Sequence, residues 1–251
     1  MKIGIVILAT NAYFILGIRF MKKFMYHYKG AAEITFFFFS DEDPVPYMPN
    51  NINVVYRQDK HTCWADGTNS KFRNIISLEP ELQVDYLYYF DADTNVSKAF
   101  TESWFIGDMV GGEHFGNRSW LKDGRGMDKN IKSRAYVPPD HPPYTYYYGA
   151  FFGGRTANMI TFCKTLRDNQ LADELINYEP GVNDESYIQQ YFHFNPPTLT
   201  VSTENFAFDI SDKGGLGETR RIGLDISEHK KELLLHKDKT IEVRNNKIII
   251  I

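Results

Sequence analysis

Short apolar runs alternate with amphipathic segments in the first part of the chain. The segments around residues 14–28 and 70–82 repeat their apolar side chains at the spacing of helices that bury one face. Four apolar runs have the length of buried strands, over residues 3–9, 34–38, 52–56 and 84–90. This alternation is typical of a mostly parallel sheet with right-handed crossovers. The pattern therefore predicts an α/β fold.

The pattern is less regular in the second part of the chain. Glycine and proline accumulate between Val110 and Gly154, which predicts long loops around a site. Helices are predicted over 159–177 and 185–192, and the chain becomes charged after Gly215. Because no repeat or long linker interrupts it, we predict a single domain over 1–251. Its parts are a first half over about 1–95, a second over about 96–228 and a flexible basic tail over about 229–251.

The composition narrows the class of protein. A chain of 251 residues with 43% hydrophobic content can bury a full core. The net charge of −4 argues against a nucleic-acid binder. The two cysteines, Cys63 and Cys163, lack metal-ligand spacing and predict free thiols in a reducing compartment. The first apolar run is too short for a membrane span and lacks a signal-peptide cleavage pattern, so we expect a soluble or cytoplasmic protein.

Two carboxylates follow the fourth predicted strand directly, in Asp91-Ala92-Asp93. Ligands bind beyond the carboxyl ends of parallel strands, which is where both acids are expected. Paired carboxylates repel each other unless a cation lies between them, and hard divalent ions prefer oxygen ligands. The arrangement predicts a site for Mn²⁺ or Mg²⁺ that also holds a nucleotide diphosphate. By itself it is equally compatible with two acids that merely end a strand.

Asp91-Ala92-Asp93-Thr94 also looks like the nucleophile loop of haloacid-dehalogenase-type phosphatases. That family places the loop after its first strand, whereas three strands are predicted before it here. A later acidic pair is missing as well, since Asp108 has no second acid near it. The phosphatase is therefore the weaker hypothesis.

Two further stretches are candidates for chemistry. Asn183-Asp184-Glu185-Ser186 leads into a predicted helix, where acids can also simply cap the helix and offset its dipole. The stretch 146–154 reads Tyr-Tyr-Tyr-Gly-Ala-Phe-Phe-Gly-Gly, and its small residues allow the backbone to approach a ligand closely. The alternative for this second stretch is a tight turn in a packed hairpin.

Read together, five stretches resemble the family of retaining glycosyltransferases that contains the histo-blood-group A and B transferases and the α1,3-galactosyltransferases. They span most of the chain in the family's order: Val84-Asp85-Tyr86-Leu87 with Asp91-Ala92-Asp93, Arg134-Ala135-Tyr136-Val137-Pro138, the stretch 146–154, Asp184-Glu185-Ser186, and Val243-Arg244-Asn245. The resemblance implies a GT-A fold, with a Rossmann-like nucleotide-binding half over about 1–95 and an acceptor and catalytic half after it. It also implies sugar transfer from a uridine-diphosphate (UDP) donor to a glycan acceptor with retention of configuration.

The resemblance assigns a role to individual residues. It implies that Asp91 and Asp93 ligate the metal and that Glu185 is the catalytic carboxylate, as nucleophile or as electrostatic stabiliser. Asp184 is expected to hold hydroxyls of the donor sugar. The uridine pocket and the diphosphate are assigned to two groups of residues: Leu8, Thr10 and Tyr13 after the first strand, and Lys237, Lys239 and Arg244 in the tail, which is expected to close over the donor.

The resemblance also bears on the choice of sugars. Tyr148-Gly149-Ala150 matches the family's triplet that distinguishes galactose from N-acetylgalactosamine donors, and alanine in the third position looks like galactose-using members. On the acceptor side the matching residues are His114 and Asp209. Val182 stands where the family has a tryptophan, which puts a β-galactoside acceptor in doubt. We expect a soluble member of bacterial or viral type. A carbohydrate-binding module on a transferase scaffold is the alternative outside enzymes.

Overall fold

A seven-stranded sheet forms the centre of the computed structural model, in the order β3-β2-β1-β4-β7-β6-β8. The eleven strands of the described residues are β1 Lys2–Leu8, β2 Glu33–Ser40, β3 Asn53–Gln58, β4 Tyr86–Phe90, β5 Asn95–Val96, β6 Met109–Glu113, β7 Tyr147–Arg155, β8 Leu199–Val201, β9 Leu224–Asp225, β10 Ile241–Arg244 and β11 Lys247–Ile250. In the central sheet only β7 runs against its neighbours. The predicted α/β class and mostly parallel sheet are confirmed, and they agree with a GT-A fold.

The structure describes residues 1–11, 13–61, 64–96, 99–114, 124, 126–139, 144–201, 224–225, 241–244 and 247–250. Asp209, Lys237 and Lys239, which the sequence analysis singled out, lie outside these residues, as does Cys63. Two further pairs of short strands are described, β5 with β9 and β10 with β11, and both are antiparallel.

Among the described residues, four helices cover the two faces of the central sheet: α1 Tyr13–His27, α2 Trp64–Ser77, α3 Thr156–Leu175 and α4 Asn183–Phe194. Strand β2 shows how the sequence achieves this. Because side chains alternate along a strand, Phe36 and Phe38 pack with α1, while Phe37 and Phe39 pack on the side of α2, α3 and α4. A run of consecutive apolar residues is what a strand needs when it is covered on both faces.

The limits of the second predicted helix were wrong. It begins at Trp64 rather than at residue 70 and ends at Ser77, before the short 3-10 turn Glu79–Glu81. The first turns are polar and contain Gly67, so they carry little of the apolar period that predicts a helix. The end at Ser77 precedes Pro80, which lacks the N–H that a continuing helix needs.

The prediction of long loops between Val110 and Gly154 was wrong for two strands, β6 and β7, which lie inside the sheet. Their glycines concealed the strand pattern, and packing explains those glycines. A Cβ on Gly153 would lie 2.5 Å from the carbonyl oxygen of Leu87, and one on Gly154 would lie 2.4 Å from that of Asp108. Gly154 also has a φ of +150°, which favours glycine. These two glycines thus allow close approach of protein backbone rather than of a ligand.

Within the described parts of the chain, no helix combines the length and apolar character that a membrane crossing requires. Cys163 is a buried free thiol in α3, and burial raises its pKa.

Candidate active site

Several strands bring their polar ends to one edge of the central sheet. Asp91 directly follows β4, and its N–H donates to the carbonyl of Ala150 in β7 at 3.0 Å. Because β7 is antiparallel to β4 and β6, its first residues reach the edge where those strands end. His114 follows β6 there, and its N–H donates to the carbonyl of Tyr146 at 2.7 Å. Residues from three segments of the chain therefore meet at one place.

The two acids that follow β4 differ in how far they are buried. Asp93 is buried and 2% exposed, whereas the Asp91 side chain keeps 30% of its surface and accepts a hydrogen bond from Tyr89 Oη at 2.7 Å. Burial raises the pKa of Tyr13, and the carboxylates of Asp93 and Asp91 raise it further. The same three causes raise the pKa of Tyr148. Both carboxylates thus act electrostatically on Tyr13 and Tyr148.

This pair of acids fits a metal ion that is shared with a substrate. Among the side chains that the structure describes, no group of three or more His, Cys, Asp or Glu is placed to hold a metal. Mg²⁺ in nucleotide sites usually binds one or two carboxylates and completes its shell with water and phosphate oxygens. Asp91 and Asp93, two residues apart at the end of β4, could offer that partial set of oxygen ligands.

Lys71 joins the acids of the site, and the sequence analysis did not identify it. Its Nζ lies 2.8 Å from Asp184 Oδ2, 3.3 Å from Asp91 Oδ1 and 3.3 Å from the carbonyl oxygen of Gly149. Burial by itself lowers the pKa of Lys71, but the carboxylates of Asp184 and Asp91 outweigh burial and hold that pKa well above its usual value. Lys71 is therefore a buried cation. The feature of the sequence that could have identified Lys71 is its position next to Phe72, on the side of α2 that is buried.

Glu185 is held at the start of α4 against the first residues of β7. The N–H of Gly149 donates to Glu185 Oε2 at 3.1 Å, and the hydroxyl of Tyr146 donates a second hydrogen bond to the carboxyl. A Cβ on Gly149 would lie 3.0 Å from Glu185 Oε2, so this glycine makes room for the carboxyl. The prediction that small residues permit close approach thus applies to Gly149, although the group that approaches is a protein carboxylate.

The environment of Glu185 makes it titrate near neutrality. Burial and the neighbouring charge of Asp184 raise its pKa to about 7, against the hydrogen bonds from Gly149 and Tyr146 and the charge of Lys71. A carboxyl with a pKa near the working pH can hold either charge state. Asp184 is 4% exposed and pairs with Lys71, so adjacent residues of α4 have different surroundings.

Gln189, one helical turn after Glu185, fixes the start of β7. Its side-chain oxygen accepts from the N–H of Tyr147 at 2.9 Å, and its side-chain nitrogen donates to the carbonyl of the same residue. The residue held by this double contact, Tyr147, lies between Tyr146 and Tyr148 in the chain. Gln189 therefore connects α4 to β7, the strand whose Gly149 donates to Glu185. A polar residue four positions after Glu185 gives no signal of this role in the sequence.

The structure places the predicted nucleotide-side residues along the turn that follows β1. Leu8 ends the strand and is partly buried, Thr10 is 8% exposed, and Tyr13 begins α1 close to Asp91 and Asp93. Arg244 ends β10, and only its backbone is described.

Most of the residues predicted to contact the sugars are also brought together. Gly149 contacts Glu185, and the carbonyl of Ala150 accepts a hydrogen bond from the N–H of Asp91. The ring of His114 lies 5.0 Å from that of Tyr148 and 5.4 Å from that of Tyr146. Val182, in place of the family's tryptophan, is 41% exposed beside the acids of α4. Asp209 has no described position.

The sequence model of glycosyltransferase family 6 matches residues 1–232. Histo-blood group ABO system transferase 1 of Rattus norvegicus is 24% identical over 209 residues, which cover 80% of this chain and 60% of that protein. Globoside alpha-1,3-N-acetylgalactosaminyltransferase 1 of Gallus gallus is 25% identical over 214 residues, covering 81% and 61%. O-antigen biosynthesis glycosyltransferase WbnI of Escherichia coli is 26% identical over 166 residues, covering 65% and 70%. The chain thus spans about three fifths of the two animal relatives.

Proposed function

The chain belongs to glycosyltransferase family 6, and from this membership we propose that it is a retaining α-glycosyltransferase that moves galactose, or N-acetylgalactosamine, from a UDP-sugar to a glycan acceptor. One observation carries the proposal. A partly buried carboxyl, Glu185, lies at the same sheet edge as Asp91 and Asp93, with the first residues of β7 between them. That arrangement suits a donor whose diphosphate is held on one side and whose sugar faces a carboxylate on the other.

On the diphosphate side, Asp91 and Asp93 would hold Mn²⁺ or Mg²⁺. When bound, the ion neutralises the charge that develops on the leaving diphosphate. The basic residues Lys237, Lys239 and Arg244 are proposed to add to this compensation. Leu8, Thr10 and Tyr13 are proposed to contact the uridine.

On the sugar side, the chain orients two carboxylates. Lys71 holds Asp184, which is proposed to accept hydrogen bonds from hydroxyls of the donor sugar. Gly149 and Tyr146 hold Glu185 by donating to its carboxyl, so that the carboxyl can face the anomeric carbon. Retention requires either a covalent intermediate on a carboxylate or attack on the same face beside an oxocarbenium-like centre. Both routes use an ionised Glu185.

The third residue of the Tyr148-Gly149-Ala150 triplet supports a preference for galactose. Ala150 lies in β7 next to Asp91 and is 5% exposed. A side chain at this position reduces the space for an N-acetyl group, although one methyl group discriminates only weakly. His114 and Asp209 are proposed to contact the acceptor.

The experiment that tests the function is titration calorimetry with UDP-galactose in the presence of Mn²⁺, followed by the same titration with a chelator. We expect binding that requires the metal. Asp93→Asn keeps the shape of the side chain and removes one charged ligand. We expect it to weaken metal-dependent binding by about 10-fold or more, because the loss of a residue that only supports a metal ligand already lowers metal affinity by about that factor. Asp108→Asn is the matched control, because Asp108 is exposed and pairs with Arg155. Failure of the wild-type protein to bind any UDP-sugar would refute the proposal.

The pKa of Glu185 leads to a prediction about the pH dependence of transfer. Because the ionised carboxylate is the active form, kcat/KM should rise with pH through an apparent pKa of about 7. The hydroxyl of Tyr146 lowers the pKa of Glu185, so Tyr146→Phe should move this rise to higher pH. Tyr144→Phe makes the same chemical change where the hydroxyl donates to the carbonyl of Pro138 instead. An equal shift in both variants, or none in Tyr146→Phe, would contradict the assignment.

A further inference from the structure

A buried hydrogen-bond network lies beneath the turn that joins β1 to α1. Its centre is His61, which follows β3 and is 6% exposed. The ring nitrogen Nε2 lies 2.9 Å from Asp59 Oδ2 and 2.9 Å from Ser70 Oγ, while Nδ1 lies 3.1 Å from Thr10 Oγ1. The ring therefore connects the end of β3 and helix α2 to the turn.

The partners of His61 decide the direction of these hydrogen bonds. Burial would raise the pKa of Asp59, but hydrogen bonds from His61 and Asn74 hold it below its usual value, so Asp59 is an ionised acceptor. Ser70 donates its own proton to the carbonyl of Gly67. The proton of a neutral ring thus belongs on Nε2, and Nδ1 accepts from the hydroxyl of Thr10.

A second contact of His61 reaches the next residue of the turn. The side-chain amide of Asn11 donates to the His61 carbonyl at 3.2 Å, and the Asn11 N–H donates to Asp41 Oδ1 at 2.8 Å. Asn11 has a φ of 56°, in the left-handed region, which asparagine tolerates better than most residues other than glycine. His61 therefore holds two consecutive residues of the turn, Thr10 through its ring and Asn11 through its carbonyl.

We propose that His61, oriented by Asp59, is a positioning residue for the nucleotide. It fixes Thr10 and the turn, and through them Tyr13, in the arrangement that binds UDP. The inference rests on the proposed function, in which Thr10 and Tyr13 contact the uridine. His61 acts through Thr10, and none of the contacts described for its ring is with Asp184 or Glu185, so its loss should weaken nucleotide binding and leave the chemical step unchanged.

Two amide substitutions separate the two sides of the ring. The amide of His61→Asn lies at the position of Nδ1 and can still accept from Thr10. The amide of His61→Gln lies at the position of Nε2, where it can contact Asp59 and Ser70 but not Thr10. We expect His61→Gln to raise the Kd for UDP with Mn²⁺, and the donor KM, about tenfold with kcat within about twofold. His61→Asn should stay within about threefold of the wild-type protein.

The role of Thr10 gives the matching variants. Thr10→Val removes the hydroxyl at nearly constant volume and should reproduce His61→Gln, and the double variant should lose no further affinity, because both changes break one interaction. Thr165→Val is the control, since this exposed threonine of α3 bonds only to its own helix among the contacts described.

The outcomes distinguish the inference from the proposed function. Equal UDP affinity of His61→Gln and wild type, or a fall in kcat at unchanged KM, overturns the positioning role of His61 alone. If His61→Asn and His61→Gln lower the melting temperature equally and weaken UDP binding equally, His61 has a purely structural role. A wild-type protein that binds no UDP in Mn²⁺ refutes the proposed function itself, before any variant is compared.

Discussion

Replacing Glu185 by glutamine should reduce sugar transfer by about 10²–10³-fold or more and leave the affinity for the UDP-sugar nearly unchanged. Glutamine keeps the size of the side chain and an oxygen that can accept from Gly149 and Tyr146. It removes the negative charge that stabilises, or attacks, the anomeric centre. An interaction made mainly in the transition state lowers kcat when it is lost, whereas the donor remains bound by contacts elsewhere.

Initial rates of transfer and calorimetric Kd values for UDP-galactose, both in Mn²⁺, measure the two effects separately. Glu174→Gln is the matched control, since Glu174 is exposed in the last turn of α3 and pairs with Arg167. Glu185→Gln should also be at least as stable as the wild-type protein, because a partly buried carboxyl with a raised pKa is replaced by a neutral amide. Turnover within tenfold of wild type would remove Glu185 from the mechanism.

Replacing Lys71 by methionine should destabilise the protein by about 3–5 kcal/mol near neutral pH, because one partner of a buried ion pair is lost. Methionine has a similar length but no charge, so the carboxylate of Asp184 would stay buried without its cation. The melting temperature should then fall by about 10 °C. Transfer should fall as well, because Asp184 loses the contact that orients it toward the donor sugar.

The pH dependence of this defect has a definite sign. Without Lys71, the folded protein favours protonated Asp184, which raises its pKa in the folded state. The cost is then absent at pH values below the unfolded pKa of about 3.9 and grows as the pH rises above it. Thermal unfolding of wild type and variant from pH 4 to 8 should therefore show curves that diverge toward higher pH.

The double variant Lys71→Met with Asp184→Asn tests the cause of the defect. Removing both charges should recover much of the lost stability, since no buried charge then lacks a partner. Lys71→Arg keeps the positive charge and should be less impaired than Lys71→Met. Equal stability of the single and double variants would show that the long side chain of Lys71 matters through packing rather than through its charge.

Local patterns predicted the early part of the fold and one part of the site. The four first strands and the helices after β1 and β3 follow from the period of apolar residues, because each side chain reports whether its own position is buried. The same pattern placed Asp91 at the end of β4. Strands β6 and β7 were not found, since Gly111, Gly153 and Gly154 leave gaps in the alternation that marks a strand.

The sequence by itself determined the α/β class, the family resemblance and the candidates Asp91, Asp93, Asp184 and Glu185. Only the tertiary structure decided that Lys71 is the buried cation between Asp91 and Asp184, that Tyr146 and Gly149 hold Glu185, and that His61 joins Asp59 to the turn after β1. The physical reason is the range of the interactions. The apolar period reflects burial of each residue one at a time, whereas a charge or a hydrogen-bond donor acts on groups that are distant in the chain and meet only after the sheet has formed.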